Sequence, residues 1–314
     1  MKVGQLLSSN KFLYMKKIYV VGASGLIGNT LYKKLLKKKL DVIGTYSKNK
    51  QENLIHLDIT ESNFKILENI NIDDVIILMS AYSNPNWISQ NKEQAKLLNY
   101  DNTKRLIDFL SPKNPKFIFM SSVEIFDGEK GNYQENDIAN PLNYYGVLKV
   151  KIEEYLLNNY RNYCIVRTGW NVGLNEKSRC VVELTYETLL KPNAKMAKDN
   201  FFSLASVEDT AEVISKIIEE DSIKIIHICS DKIINRVELA NMILKHSKHS
   251  KRMNYNECFF KDIPYSEPRG RINDLNNNDS TENDNKLFKN FSYSIKVADF
   301  YYKKTAMLMV DRIK

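Results

Sequence analysis

The sequence is short of the features that would place it in the simpler functional classes. It has four cysteines (Cys164, Cys180, Cys229, Cys258), widely spaced and with no C-x-x-C pair. Neither a structural zinc site nor a disulfide framework is expected from them. Cys164 and Cys229 sit inside apolar, strand-like runs and read as small buried hydrophobes. The four histidines show no metal-ligand spacing with a third ligand, so no metal is expected. No stretch approaches the roughly 20 apolar residues of a membrane span. Residues 1–14 lack the apolar core of a secretory signal and read as a non-native or disordered arm. The expected location is cytoplasmic. There is no internal repeat.

Charge is plentiful but uneven. The 314 residues carry 46 Lys and Arg against 38 Asp and Glu, a formal net charge of +8. Residues 1–50 hold eleven Lys and one acid (Asp41), a net of +10, so residues 51–314 are left at −2. Five of these lysines (33, 34, 37, 38, 39) fall at the C-terminal end of a predicted helix, where cations suit the dipole. They read as a solvated face. A nucleic-acid surface would interleave aromatics with the basic residues, and this stretch does not.

Apolar runs predict strands at Lys17–Val21, Asp41–Tyr46, Leu54–Leu57, Asp74–Met79, Lys116–Met120 and Tyr163–Arg167. Helical patterns intervene, among them Lys92–Leu110 and Tyr144–Asn159. This alternation predicts an α/β fold, a Rossmann-type doubly wound parallel sheet with a smaller C-terminal substrate lobe. Residues 15–173 are assigned to the cofactor domain. Residues 174–314 are assigned mainly to the lobe, with segments returning to the Rossmann sheet and helices near 178–190, 207–219, 235–248 and 295–310. Arg271–Lys286, crowded with Asn and Asp, reads as an exposed loop.

Two patterns carry chemistry. Gly22, Gly25 and Gly28 form G-x-x-G-x-x-G between the first strand and the first helix. There a tight turn, close backbone approach and a helix N-terminus together suit a dinucleotide pyrophosphate, and the loop brings in Ser24, Leu26 and Ile27. The second strand ends in Thr45-Tyr46-Ser47-Lys48 without an acid, which favours a 2′-phosphate and hence NADP(H), with NAD(H) left open. Lys48 is alternatively a solvated loop residue. Asp58 closes the third strand, either facing adenine or capping the next segment. Tyr145-Gly-Val-Leu-Lys149 is Y-x-x-x-K on a predicted helix, so phenol and ammonium share one face. The lysine is expected to lower the Tyr145 pKa for proton transfer beside a nicotinamide. Ser121-Ser122, at the end of the fifth strand, would place a hydroxyl on the same carbonyl oxygen.

With these residues in order, the chain resembles the extended short-chain dehydrogenase/reductase superfamily, most closely dTDP-4-dehydrorhamnose reductases and their sugar-nucleotide relatives. The resemblance covers about Lys16 to Leu275. It rests on GASGLIG (22–28), LDIT (57–60), SAYSNP (80–85), LNYDNT (98–103), MSSVEIFDG (120–128), PLNYYGVLK (141–149), VRTGWNVG (166–173) and SVEDTA (206–211). It implies Tyr145 as proton donor, Lys149 on the nicotinamide ribose and Ser122 polarising the ketone. It further implies Asp58 and Ile59 at the adenine, and Ala81, Tyr82 and Ser83 beside the cofactor. Trp170 would lie on the sugar ring, with a core tryptophan as the alternative. Arg269 and Arg271 fall where the family approaches substrate, and a guanidinium suits pyrophosphate. The family's Ser-Thr-Asp-Tyr is replaced here by Ser-Ser-Val123-Glu124. That departure borders the substrate and leaves the sugar less defined than the cofactor.

The reading is therefore an NADP(H)-dependent reductase of a nucleotide-activated 4-keto-deoxysugar in polysaccharide precursor synthesis. An epimerase or dehydratase that recycles its cofactor is the alternative. So is a non-catalytic subunit, since the superfamily includes a regulatory subunit of methionine adenosyltransferase. No nucleic-acid partner is expected. The oligomeric state stays open, a homodimer among the options.

Overall fold

Strand β1 (Lys17–Val21) is apolar without interruption because both of its faces are covered. Ile18 and Val20 point into one buried cluster, Tyr19 and Val21 into another on the opposite side of the sheet. The computed structural model describes residues 16–61, 63–173, 180–230, 233–247 and 249–276. The expected arm at 1–14 and the expected helix near 295–310 lie outside the described residues.

After β1 come α1 (Leu26–Lys37), β2 (Asp41–Tyr46), β3 (Ile55–His56) and β4 (Val75–Leu78). Helices α2 (Pro85–Gln90), α3 (Lys92–Lys96) and α4 (Asn102–Leu110) lead to β5 (Lys116–Met120), α5 (Tyr144–Asn159) and β6 (Tyr163–Thr168). The helix expected from Lys92 to Leu110 is interrupted by a π-helical turn at Leu97–Asp101. Such turns often mark functional positions, and this one carries the buried Asn99.

Next are β7 (Trp170–Val172), α6 (Val181–Leu189), β8 (Lys195–Ala197), β9 (Phe201–Ser206), α7 (Val207–Ile217) and β10 (Ile225–Ile228). The described part closes with β11 (Ile233–Asn235), α8 (Arg236–His246), β12 (Asn256–Cys258) and β13 (Ile272–Asn273).

The main sheet has the order β10-β6-β5-β4-β1-β2-β3, and every pair in it is parallel. The order reverses between β1 and β4, which opens a crevice at their carboxyl ends. The fold is thus the doubly wound α/β arrangement expected from the alternation. Helices α1 and α7 cover one face, where Leu31 and Leu35 meet Ala211, Ile214 and Ile217. Helices α4 and α5 cover the other through Leu106, Leu110, Ile152 and Leu156.

The smaller lobe is built around β9, which pairs in parallel with β7 and β13 and antiparallel with β11. Its sheet begins at Trp170, inside the range expected for the cofactor domain. The segment expected as an exposed loop from Arg271 starts instead as β13. Asn273 and Leu275 are buried there, so the Asn-rich composition misled the reading. Residues 277–286 lie outside the described residues.

Several charges that enter the body away from the cleft are paired. Glu212 of α7 meets Lys34 at 2.7 Å and Lys38 at 3.6 Å, so part of the basic end of α1 braces two helices rather than facing solvent alone. Lys116 is buried and donates to the carbonyl of Ile217 at 2.7 Å, at the C-terminal end of α7. Deeper still, Arg167 of β6 donates to Glu153 of α5 at 2.7 Å, both side chains at most 5% exposed. His227 sits against this pair, and burial pushes its imidazole down to about 3. It is a structural histidine held neutral.

Removing one partner of a buried ion pair strands the other charge. Glu153→Gln is therefore expected to cost about 3–5 kcal/mol. Urea unfolding checks this, and an unchanged midpoint would show that the pair is dispensable.

Candidate active site

The cleft at the carboxyl ends of the strands has a volume of about 720 Å³ and lies between the main sheet and the lobe. Its floor is the glycine loop. Gly22 has φ +95°, and a Cβ there would lie 2.9 Å from the Ser80 nitrogen. A Cβ on Gly28 would lie 2.3 Å from the Gly22 carbonyl oxygen, so the first turn of α1 can close on the loop only without a side chain. Gly25 is the N-cap of α1 and supplies no side-chain cap, which leaves the helix start open to an anion. Gly22, Gly25, Leu26, Ile27 and Gly28 all line the cleft. Ser24 does not; its carbonyl accepts from Gln51 at 3.2 Å.

Beyond β2 the expected adenine-side residues form a small network of their own. The Ser47 hydroxyl donates to Asp58 at 3.0 Å, and the Thr60 amide and hydroxyl donate to Asp58 at 2.9 and 2.7 Å. Burial pushes the Asp58 carboxyl up, but these hydrogen bonds together outweigh it and hold it below the usual carboxylate range. Asp58 thus caps its own turn. Ser47, Lys48, Asp58 and Ile59 do not line the main cleft. Lys48 is exposed, and the Ile59 side chain is buried in the core.

Ala81 and Ser83 line the cleft, whereas Tyr82 turns away and packs its ring on Trp87 at 4.4 Å. The backbone of Tyr82 is fixed on both sides by the Asn99 amide, which donates to its carbonyl and accepts from its N–H, each at 2.8 Å. Asn99 belongs to the LNYDNT run, yet its role as the clamp on this loop was not read from the sequence.

The groups suited to proton transfer come from the end of β5 and the start of α5. Asn143 caps α5 by accepting from the Gly146 amide at 2.9 Å. Gly146 must be small, because a Cβ there would lie 2.0 Å from the Glu124 carbonyl oxygen. This contact presses the turn after β5 onto the helix that carries Tyr145 and Lys149. Ser122, Tyr145 and Lys149 line one wall of the cleft, together with Ser121, whose buried hydroxyl has no hydrogen-bond partner among the described residues. Ser122 also caps the short turn after it by accepting from the Glu124 amide at 3.2 Å.

The Lys149 ammonium donates to the Met120 carbonyl at 2.7 Å and lies 5.6 Å from the Tyr145 ring centre. Burial pushes its pKa down to about 8, against a smaller upward pull from Glu153. The expected lowering of the Tyr145 pKa is not what the structure shows. Burial and the nearby Glu124 carboxylate raise it, which keeps the phenol protonated.

Val123, expected at the substrate, is 1% exposed and packs with Ile125, Phe126 and Tyr133 instead. The side chains alternate through this turn, so Ser122 and Glu124 take the cleft side. Trp170 lines the cleft and also stacks on Phe202 at 4.6 Å, so the core and ligand readings of this residue both describe it. Arg236 of α8 lies 4.0 Å over the Trp170 ring and also lines the cleft. Sequence reading missed it, since no motif marks it and only the lobe fold brings it there. Arg269 lines the cleft, donates to Asn86 at 3.1 Å and lies 4.6 Å over the Tyr265 ring. Arg271 does not line it.

Residues 15–300 match the family described as the RmlD substrate binding domain. The chain belongs to this family. As the motifs implied, this is the extended short-chain dehydrogenase/reductase superfamily, on its dTDP-4-dehydrorhamnose reductase side. A dTDP-4-dehydrorhamnose reductase from Clostridium acetobutylicum has the same fold at 22% identity, with a TM-score of 0.76 over 93% of this chain and 99% of that one. The dTDP-4-dehydrorhamnose reductase of Bacillus anthracis, solved in complex with NADP, aligns at 20% identity and TM-score 0.71 over 84% of this chain and 91% of that one. Among curated relatives, methionine adenosyltransferase 2 subunit beta of Bos taurus is 25% identical over 211 residues. That match covers 65% of this chain and 63% of the bovine protein's length. No helix among the described residues is long and apolar enough to cross a membrane.

Lys149 makes stability depend on pH. Its folded pKa of about 8 is below the reference value of 10.5, so the unfolded chain binds the extra proton between those limits. Stability rises with pH across that window. Relative to Lys149→Met, the protein is expected to gain about 1–2 kcal/mol between pH 7.5 and 9.5. Paired urea titrations measure it, and a pH-independent difference would refute the buried, depressed lysine.

Proposed function

We propose that the protein is a nicotinamide-dependent reductase of a nucleotide-activated 4-keto-deoxysugar. The carrying observation is that one cleft collects the glycine loop, Ser122, Tyr145, Lys149, Trp170 and Arg269. The loop suits a dinucleotide, because glycines at 22 and 28 let the turn close tightly on the start of α1 and Gly25 leaves that helix start uncapped toward the cleft. A reduced nicotinamide bound there supplies the hydride.

The chain's own residues do the rest. Ser122 donates to the ketone oxygen and fixes its direction. Tyr145, kept protonated by burial and by Glu124, gives that oxygen its proton. The Lys149 ammonium, 5.6 Å from the centre of the Tyr145 ring, then steadies the phenolate. Trp170 offers a flat face to the sugar, and Arg236 and Arg269 offer guanidinium groups to a diphosphate. The absence of an acid after β2 supports NADP(H) as the preferred cofactor, with exposed Lys48 free to reach a 2′-phosphate.

The test is loss of reduced-nicotinamide absorbance with NADPH and dTDP-4-dehydro-6-deoxy-L-mannose. Tyr145→Phe is expected to cut turnover by about 10²–10⁴-fold while NADPH affinity stays within about threefold. Gly28→Ala is expected to abolish the enhancement of NADPH fluorescence on binding, since its methyl would overlap the Gly22 carbonyl. A methionine adenosyltransferase-type regulatory role is the second reading, favoured by the bovine relative. It predicts NADPH binding with no oxidation by any keto-sugar.

A further inference from the structure

Ser83 and Pro85 line the cleft from the cofactor domain, and Ile263, Tyr265 and Arg269 line it from the segment that leads into β13. One carboxamide oxygen bridges the two sides. The Asn86 side chain accepts from the Ser266 hydroxyl at 2.9 Å and from Arg269 Nη2 at 3.1 Å, across 180 and 183 residues of sequence. Both ends of this bridge are braced. Asn84 caps α2 by accepting from the Asn86 and Trp87 amides at 3.1 and 3.3 Å, and Trp87 packs on Tyr82. On the other side, buried Glu267 accepts from the Tyr144 amide at 3.3 Å, at the start of the helix that carries Tyr145 and Lys149.

The guanidinium held by Asn86 keeps its charge. It lies 4.6 Å over the Tyr265 ring, and its Nε is buried with no hydrogen-bond partner among the described residues. Arg269 forms no ion pair among those residues. Glu267, two residues away, faces the Tyr144 amide instead, and Glu124 acts on Arg269 only through space. Arg236, on the same cleft, feels Arg269 as a like charge. Two guanidinium groups without a matching carboxylate suit a doubly charged anion. A carboxamide is the right holder for such a group, since its oxygen fixes a guanidinium without neutralising it. A carboxylate at position 86 would grip Arg269 more firmly and cancel the charge.

We propose that Asn86 is a positioning residue for the substrate: it holds Arg269 in place before the ligand arrives and leaves the guanidinium charged for the diphosphate of a nucleotide-activated sugar. This rests on the nucleotide-sugar reading. Asn86 does not itself line the cleft, so it acts through Arg269 on affinity and not on the chemical step. Ordering a long side chain during binding weakens affinity by about two- to tenfold. Here the side chain is ordered beforehand, between the Asn86 oxygen and the Tyr265 ring.

The experiment measures dTDP and UDP binding to the full chain by calorimetry in the presence of NADP+, with NADPH fluorescence checking that each variant is folded. Asn86→Ala is expected to weaken the nucleoside diphosphate that binds by about three- to tenfold. Asn86→Asp is expected to weaken it by at least about tenfold, because the new carboxylate pairs with Arg269 and repels the diphosphate. A bridge that merely joined the two sides would be kept by Asn86→Asp, since a carboxylate accepts both hydrogen bonds, so this variant separates positioning from structure. In an Arg269→Gln background, Asn86→Ala is expected to add no more than about a twofold loss, as residues acting in series do. Binding by Asn86→Asp as tight as by the unaltered protein overturns the role of Asn86 and leaves the nucleotide-sugar reading. A full further loss in the Arg269→Gln background overturns it as well. If the unaltered protein binds neither dTDP nor UDP, both fall.

Discussion

Everything functional in this protein follows from the covering of one parallel sheet on both faces. With α1 and α7 on one side and α4 and α5 on the other, the sheet offers a ligand no open face. Only the strand ends remain, and at one edge the reversal between β1 and β4 parts the loops. The glycine turn, the Ala81–Ser83 segment, the Ser122 turn and the start of the lobe follow β1, β4, β5 and β6 at that edge. The site is thus a consequence of the sheet's burial rather than a decoration on it. The lobe then turns an edge into a cleft by bringing Arg236 and Arg269 over it.

Electrostatics inside this frame show two regimes. Where a charge serves the fold it is matched at close range, as Arg167 is by Glu153. In the cleft the charges are spaced more loosely. Burial there favours neutral forms, holding Tyr145 protonated and drawing Lys149 down to about 8. Of the two, Lys149 is the one brought close to a change of protonation near neutral pH, while Tyr145 is kept as a proton-bearing phenol.

The sheet was legible in the sequence because its signals are local. KIYVV and KFIFM are unbroken apolar runs, and β1 and β5 occupy them residue for residue. Helix α5 begins at Tyr144 because Asn143 caps it, and it ends where Tyr160 turns extended. Part of the site was legible for the same reason, since the glycine loop and the Tyr145–Lys149 pair are short-range patterns. What escaped was long-range. The Ser47–Asp58 bond joins the ends of two strands, Asn99 reaches back 17 residues to Tyr82, and Arg236 arrives from α8. Asparagine-rich text after Arg271 suggested a loop because composition does not reveal that Asn273 is buried.

The turn after β5 separates two demands that usually conflict. Val123 and Ile125 satisfy the core, while Ser122 and Glu124 face the cleft and carry little of the packing. Position 124 can therefore change its chemical character by one substitution while the hydrophobic layer beneath stays intact. A lineage using this fold could change the charge and polarity of this cleft wall without passing through an unfolded intermediate sequence. The reaction repertoire of such a protein would then drift faster than its architecture.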